Sequence, residues 1–336
     1  MTIQAGDLET HVAPAIGEAE GEEAKVAGRS PTQLAVARFR KDTGSMISLG
    51  ICTFYVLAAI AAPILVKVGI LNPNDLNQKV LDQALGGIPK GSFGGISSHH
   101  WLGVEPGTGS DVMSRLMLGM TWSLGIALSG VVITIVVGAV LGIVSGMAGG
   151  LVDATVGRII DLTLSFPQTL MLLALSGGAI IFITHNMGVG NRDLANAIYV
   201  VAILGAFGWP PVARVIRGQV LSLREREYVE AARLFGASRT RLYFKEILPN
   251  LWAPLLVYFT LLLPAYVSAE AAFSFLGVGV KPPTPTLGNI LNDSISYMTA
   301  DFLFFFLPGL VLAIIVVSFN LVGDGIRDAL DPKSSR

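Results

Sequence analysis

Apolar and polar positions alternate along this chain in long blocks rather than at a helical or strand period. Six blocks hold about twenty mostly apolar residues each, the length a helix needs to cross a bilayer. They run from about Ser45 to Val68, Ser123 to Met147, Ile159 to Ile183, Ala195 to Arg217, Trp252 to Leu276 and Phe302 to Val322. Between them lie polar stretches of unequal length. The longest, 69–121, is rich in Gly, Asn and Pro and is predicted to be an extracytoplasmic loop. A short amphipathic piece precedes the first block, with Leu34, Val36 and Phe39 beside Arg38, Arg40 and Lys41. It is predicted to lie on the inner membrane surface.

Composition agrees with the block pattern. Of 336 residues, 52% are hydrophobic and 14% charged, against about 25% charged in an average soluble domain. Residues 1–28 carry Asp7, Glu9, Glu18, Glu20, Glu22 and Glu23 among Ala and Gly. They lack the basic start and apolar centre of a signal peptide, and their composition predicts disorder.

The net charge of -1 is less informative than where the charges sit. With the N-terminus inside, seventeen Lys and Arg fall on the inner side and six on the outer. The outer six are Lys67, Lys79, Lys90, Arg115, Arg192 and Lys281. Positive loops stay inside, so both termini are expected in the cytoplasm. The organisation expected is 1–43 as a cytoplasmic segment, 44–68 as the first span and 69–121 as the outer loop. A core transmembrane domain follows over 122–330, with a cytoplasmic tail at 331–336.

Several features bear on chemistry mainly by exclusion. Cys52 is the single cysteine, so no internal disulfide forms. No lysine follows a glycine, so the chain has no phosphate-binding Gly-Lys-Ser/Thr loop. His99 and His100 are adjacent without the helical spacing of a metal pair. No ionisable residue falls at an expected midplane: Asp161, Arg214 and Arg217 lie near the inner face, and Glu270 near the outer one. That argues against an ion-driven carrier. Gly138, Gly142, Gly146 and Gly150 line one face of the second span, where small residues let helices approach closely. The seam either slides during transport or packs statically. Pro167 and Pro264 fall inside the third and fifth spans and are expected to kink them.

The basic stretch from Ser222 to Pro249 is the most specific. Ser222-Leu-Arg-Glu225 fits a capping box, and Gly236 suits a helix end, which predicts a surface helix of about thirteen residues. Tyr228, Ala231, Ala232 and Phe235 share one face, flanked by Glu230 and Arg233. Such a face fits a groove on another protein or rests on lipid headgroups.

Glu230-Ala231-Ala232, then Gly236, then Pro249 resembles the EAA loop of ATP-binding-cassette importer permeases. Glu246 before Ile247-Leu248-Pro249 is similar to the peptide-importer branch. So are Gly208-Trp209-Pro210 with Ala213-Arg214, the segment Ser274 to Val280, and Phe319 to Gly325 followed by Arg327 to Pro332. The resemblance points to the second, C-type permease and covers roughly 99–333. Glu105, Ser110 and Leu287 depart from the family pattern on the outer side.

The resemblance implies an all-α integral membrane fold of the type I importer kind, with six spans and N-in/C-in topology. It also implies a homologous second permease, two ATPase subunits that hold ATP and Mg, and an extracytoplasmic substrate-binding protein. This chain itself would carry no catalytic, cofactor, metal or nucleic-acid site. Glu230, Ala231, Ala232, Gly236 and Pro249 are the residues the resemblance places in an ATPase-coupling loop, the shared helix face and its flanks add Tyr228, Phe235 and Arg233 to them, and Gly138, Gly142 and Gly146 are the expected packing residues. Dipeptides or oligopeptides are the favoured cargo, with nickel or another small solute as the alternative. An ion-driven transporter and a membrane scaffold are the rivals from other classes.

Overall fold

A computed structural model describes residues 31–91 and 93–330. The acidic stretch 1–28 and the tail 331–336 lie outside the described residues. Among the described residues the fold is all-α, apart from a minimal antiparallel pairing of β1 (Leu81–Asp82) with β2 (Ile88–Pro89) and a single antiparallel bridge between Val104 and Asp111, both in the long connection after the first block.

Helix α1 (Pro31–Lys41) is the amphipathic piece, and α2 (Thr43–Val68) is the first span. Asp42 separates them and caps α2 by accepting from the Gly44 and Ser45 amides. The Ser45 hydroxyl and those bonds hold its carboxyl below the usual range. Helix α3 (Val112–Ala148) is 37 residues long and begins earlier than the hydrophobic block. Residues 112–121 are therefore helix and not loop. The start is set by Asp111, whose carboxylate accepts from the Ser114 amide at 2.8 Å, a local signal that a hydropathy window does not weigh.

The third block is two helices rather than one kinked span. Helix α4 (Gly150–Ser165) ends at Phe166, and α5 (Gln168–His185) starts after Pro167. Proline lacks the amide that would continue α4 and forces the preceding residue out of the helical region; Phe166 is extended, at φ -98° and ψ 123°. Gly150 also leaves the glycine stripe, since it begins α4 at φ +54° with open space around its Cα.

Helix α6 (Arg192–Leu223) carries the fourth span well past Arg217. Then come the short α7 (Glu227–Leu234) and α8 (Arg239–Arg241), then the long α9 (Trp252–Phe275) with Pro264 inside it. Helix α10 (Leu287–Ile295) is capped by Thr286 and Asn289, each bonding the other's backbone. Helix α11 (Phe302–Leu330) closes the described chain. Among the described residues, six helices, α2, α3, α5, α6, α9 and α11, are long and apolar enough to cross a membrane.

Helices α3, α6 and α9 make the centre. Half of the most apolar stretch of α3 and of α6 is buried, against 11% of that in α5, so α5 lies at the edge of the bundle, held through Leu172 and Ile183. Gly138, Gly142 and Gly146 lie where α3 meets α6. A Cβ on them would come within 2.7 Å of Val212, 2.8 Å of the Ala213 carbonyl and 2.7 Å of Val220. A polar knot crosses the same core: Tyr266 of α9 bonds Thr134 of α3 at 2.8 Å and donates to the Leu204 carbonyl of α6 at 3.1 Å. Gly208 leaves room for that phenol, since a Cβ there would run into its oxygen.

Candidate functional site

The basic stretch 222–250 joins the ends of α6 and α9 as a chain of short helical pieces. Ser222 is still inside α6, so it caps nothing, and the expected capping box is absent. The next helix starts at Glu227 with Arg226 as a cap that offers no side-chain bond. The surface helix is therefore 8 residues long, not about thirteen. Ile216, Val220 and Leu223 extend the apolar stripe of α6 into a packed cluster, and that packing wins over the local cap.

The end of α7 follows the glycine. Gly236 sits at φ +77° with nothing within 4 Å of an added Cβ. Its amide donates to the Arg233 carbonyl, and the Ala237 amide donates to that of Ala232, at 2.9 and 3.0 Å. This is the double-bonded glycine stop that satisfies orphan carbonyls. Ser238 then caps α8 by accepting from the Arg241 amide at 3.3 Å. A wide turn over Leu242–Ile247 and a tight one over Leu248–Asn250, with Pro249 in its first turn, lead into α9.

The inner side of α7 is fixed to the bundle chiefly by Val229. Val229 is fully buried and packs with Ile143 of α3, Val212, Ile216 and Val220 of α6, and Leu242, Ile247 and Leu251. Ala232 is half-buried against the same cluster, so it belongs to the anchoring face rather than to the exposed one. Tyr228, Glu230, Ala231, Arg233, Phe235, Gly236 and Pro249 are exposed. Leu234 and Phe235 are 84% and 91% exposed. The sequence reading does not single out Leu234; the signal is an apolar side chain off the expected inner face, next to a second one, at the helix end.

The parts that brace this segment are charged. Arg217 on α6 grips Asp153 on α4, and Ser145 of α3 donates to the same carboxylate at 2.5 Å. The Arg217 bonds, then the Ser145 bond, lower the Asp153 carboxyl to about 2. Arg224, just past α6, donates to the Gly146 carbonyl at 2.9 Å. Arg214 pairs with Asp161 at 2.9 Å, but both side chains are more than half exposed, so that pair contributes little.

At the opposite end of the bundle, Arg115 and Glu105 form an ion pair at 3.3 Å with both side chains about 5% exposed. Thr108 donates to Glu105 at 2.7 Å. Ser110 is buried, and Leu287 fully so. Glu270 is also buried, accepting from Ser274 at 2.9 Å beside the α10 cap. His100 bonds Asp111 at 3.1 Å. No group of three or more metal-ligating side chains occurs among the described residues.

Comparison with known proteins decides the family. Residues 138–336 match the family described as the inner membrane component of binding-protein-dependent transport systems. The chain belongs to that family. The matched region holds the glycine seam, the segment 222–250 and the last two long helices. Residues 30–85 match the N-terminal transmembrane domain of oligopeptide transport permease C.

Among curated relatives, a dipeptide transport system permease of Alkalihalophilus pseudofirmus is 32% identical over 90% of each chain. An oligopeptide transport system permease of Bacillus subtilis is 33% identical over 89% of this chain and 88% of its own. A glutathione transport system permease of Pectobacterium atrosepticum is 36% identical over 71% and 74%. In fold, the chain is similar to an inward-facing methionine ABC transporter, with a TM-score of 0.50 at 22% identity over 65% of this chain and 97% of that one. As an importer permease, this chain is a multi-pass membrane subunit and not itself an enzyme.

Proposed function

We propose that this chain is the C-type permease subunit of an ATP-driven importer for dipeptides or oligopeptides, in the bacterial cytoplasmic membrane with both termini inside. The relatives named as dipeptide and oligopeptide permeases support the cargo class. The pairing with a homologous permease, two ATPase subunits holding ATP and Mg, and an outer binding protein follows from the family.

The observation that carries the coupling role is the contrast within α7. Val229 is sunk into the α3–α6 cluster, while Leu234 and Phe235 at the end of the helix face outward. A helix so placed transmits a push on its outer face to α6 and, through the glycine seam, to α3. Tyr228, Glu230, Ala231, Arg233, Phe235 and Gly236 form the surface that an ATPase cleft would hold. Ala232 supports it from within, and Pro249 sets the turn back into the bundle. Coupling requires this contact to differ between the two states of the ATPase.

The assembled complex in proteoliposomes tests the reading. Glu230→Ala should leave insertion and assembly intact while ATP hydrolysis no longer drives uptake of a labelled dipeptide. Wild-type uptake by that variant would sink the coupling role. Uptake that follows an ion gradient and survives ATP depletion would sink the importer itself.

A further inference from the structure

On the end of the bundle that carries the coupling segment, α1, α2, α9 and α11 enclose a groove of about 530 Å³. Eleven of its twelve lining residues are apolar, and the twelfth is Arg40. Its walls include Val36 of α1, Leu49 of α2, Trp252 of α9 and Leu330 of α11. Among the described residues nothing covers Val36, Leu49 or Trp252, which keep 53%, 38% and 46% of their surface.

The groove is built rather than incidental. Its outer wall, α1, is held in place by Phe39, which packs on Gly325 of α11: a Cβ there would come within 3.1 Å of the Phe39 ring and would collide with the Ser45 hydroxyl. The Asp42 amide donates to the Phe39 carbonyl at 3.2 Å, so α1 turns directly into α2.

Two observations identify the occupant. The groove is apolar and lies at one end of three membrane-crossing helices, with an indole at its mouth, where the hydrocarbon gives way to headgroups. The one charged residue lining the groove is basic: Arg40, in the last turn of α1, is followed by Lys41, and no acidic residue lines the groove. A basic interfacial helix over an apolar slot suits an anionic headgroup above an acyl chain.

We propose that this groove is a specific site for one acyl chain of an anionic phospholipid, with the Arg40 guanidinium on the lipid phosphate. Occupancy joins α1 to the start of α9, the helix that leaves the coupling segment, so the lipid steadies the bundle where the coupling motion enters it.

The test uses the full chain in its assembled complex, in nanodiscs of phosphatidylglycerol and phosphatidylcholine. Each lipid in turn carries a photoreactive acyl chain, and labelled peptides are mapped. Phosphatidylglycerol should label peptides containing Val36, Leu49 and Trp252 about fivefold more than phosphatidylcholine, the factor that one basic residue near an anionic lipid supplies. Arg40→Ala should abolish that preference, and Arg40→Lys should keep most of it. Val36→Trp, which fills the groove, should remove the label there while leaving that on α5 unchanged. Equal labelling by the two lipids in the wild type, or unchanged labelling in Val36→Trp, would overturn the site. So would protection of these peptides by a partner subunit.

Discussion

Asp153 and Arg217 meet through two parallel hydrogen bonds, Nε to Oδ1 at 2.5 Å and Nη2 to Oδ2 at 2.6 Å, across 64 positions of sequence. The pair ties α4 to the last third of α6, ahead of the point where Arg224 reaches the Gly146 carbonyl. Two-pronged pairing of this kind fixes orientation as well as distance. The helix that leads into the segment 222–250 is thus braced from α4 by a fork and from α3 by a seam.

Breaking the fork should cost coupling more than assembly. Asp153→Asn keeps the shape but loses the charge, and is expected to lower uptake per ATP hydrolysed severalfold. The exchange of the two residues, Asp153→Arg with Arg217→Asp, should recover part of it. Uptake and ATPase assays on the same proteoliposomes measure the ratio. The pH dependence has a fixed sign. The folded-state pKa of Asp153 is lowered to about 2, so its stabilising contribution is complete above an unfolded value of about 4 and is lost only as pH falls through about 2. Between about pH 5 and about pH 8 wild type and variant should therefore keep a constant ratio.

The glycine seam makes a sharper stability prediction. A methyl on Gly142 meets backbone, the Ala213 carbonyl at 2.8 Å, and the Ile216 Cβ at 2.9 Å; neither is a flexible side-chain end. Gly142→Ala should force α3 and α6 apart at a cost of about 1–3 kcal/mol and lower the melting temperature of the detergent-solubilised complex. Gly157→Ala on α4 is the control. Nothing lies within 4 Å of its added Cβ, so it should be neutral or gain up to about 1 kcal/mol from helix propensity.

At the far end of α3, Arg115 and Glu105 are buried together. Arg115→Met leaves a carboxylate with no cation in a closed site, which costs about 3–5 kcal/mol. Glu105→Gln added to it should restore most of the loss, since the buried charge is then gone. Thermal unfolding of single and double variants measures the coupling. Asp293 on α10 adds a pH signature. Burial, then repulsion from Glu105, raises its carboxyl, so this group favours the folded state below its unfolded pKa and that contribution fades as pH rises through the folded one. Asp293→Asn should flatten that part of the stability curve.

How far the sequence reveals this molecule depends on the range of the interactions. The six apolar runs are legible because crossing a bilayer demands about twenty apolar residues whatever surrounds them. Gly236 is legible because a left-handed helix end needs no partner. Ser222 misleads because the same Ser-x-x-Glu pattern can sit inside a helix whose apolar side is already packed, here through Val220 and Leu223. Pro167 announces a disruption but not its kind, and the charged residues Asp153, Arg158 and Asp161 hide a helix ahead of it. Asp153 with Arg217, and Glu105 with Arg115, join residues that no local pattern connects. Val229 escapes notice as the anchor because Tyr228 and Phe235 on either side suggest another face.

That last shift leads to the most direct prediction about the proposed coupling surface. If α7 is anchored by Val229 and presents Leu234 and Phe235, then truncating one or the other face has opposite signatures. Phe235→Ser removes only exposed apolar area, so the permease should fold normally and lose affinity for the ATPase subunits by about tenfold, roughly the effect of one aromatic anchor at an interface. Val229→Ser places a hydroxyl in the apolar α3–α6 cluster. It should lower the melting temperature of the permease before the ATPase is added, by the cost of a buried unsatisfied polar group, about 1–3 kcal/mol. Pull-down of the ATPase subunits and thermal unfolding separate the two. If Phe235→Ser lowered thermal stability and Val229→Ser only weakened ATPase binding, α7 would have to be turned over, with the residues now facing outward packed against α6.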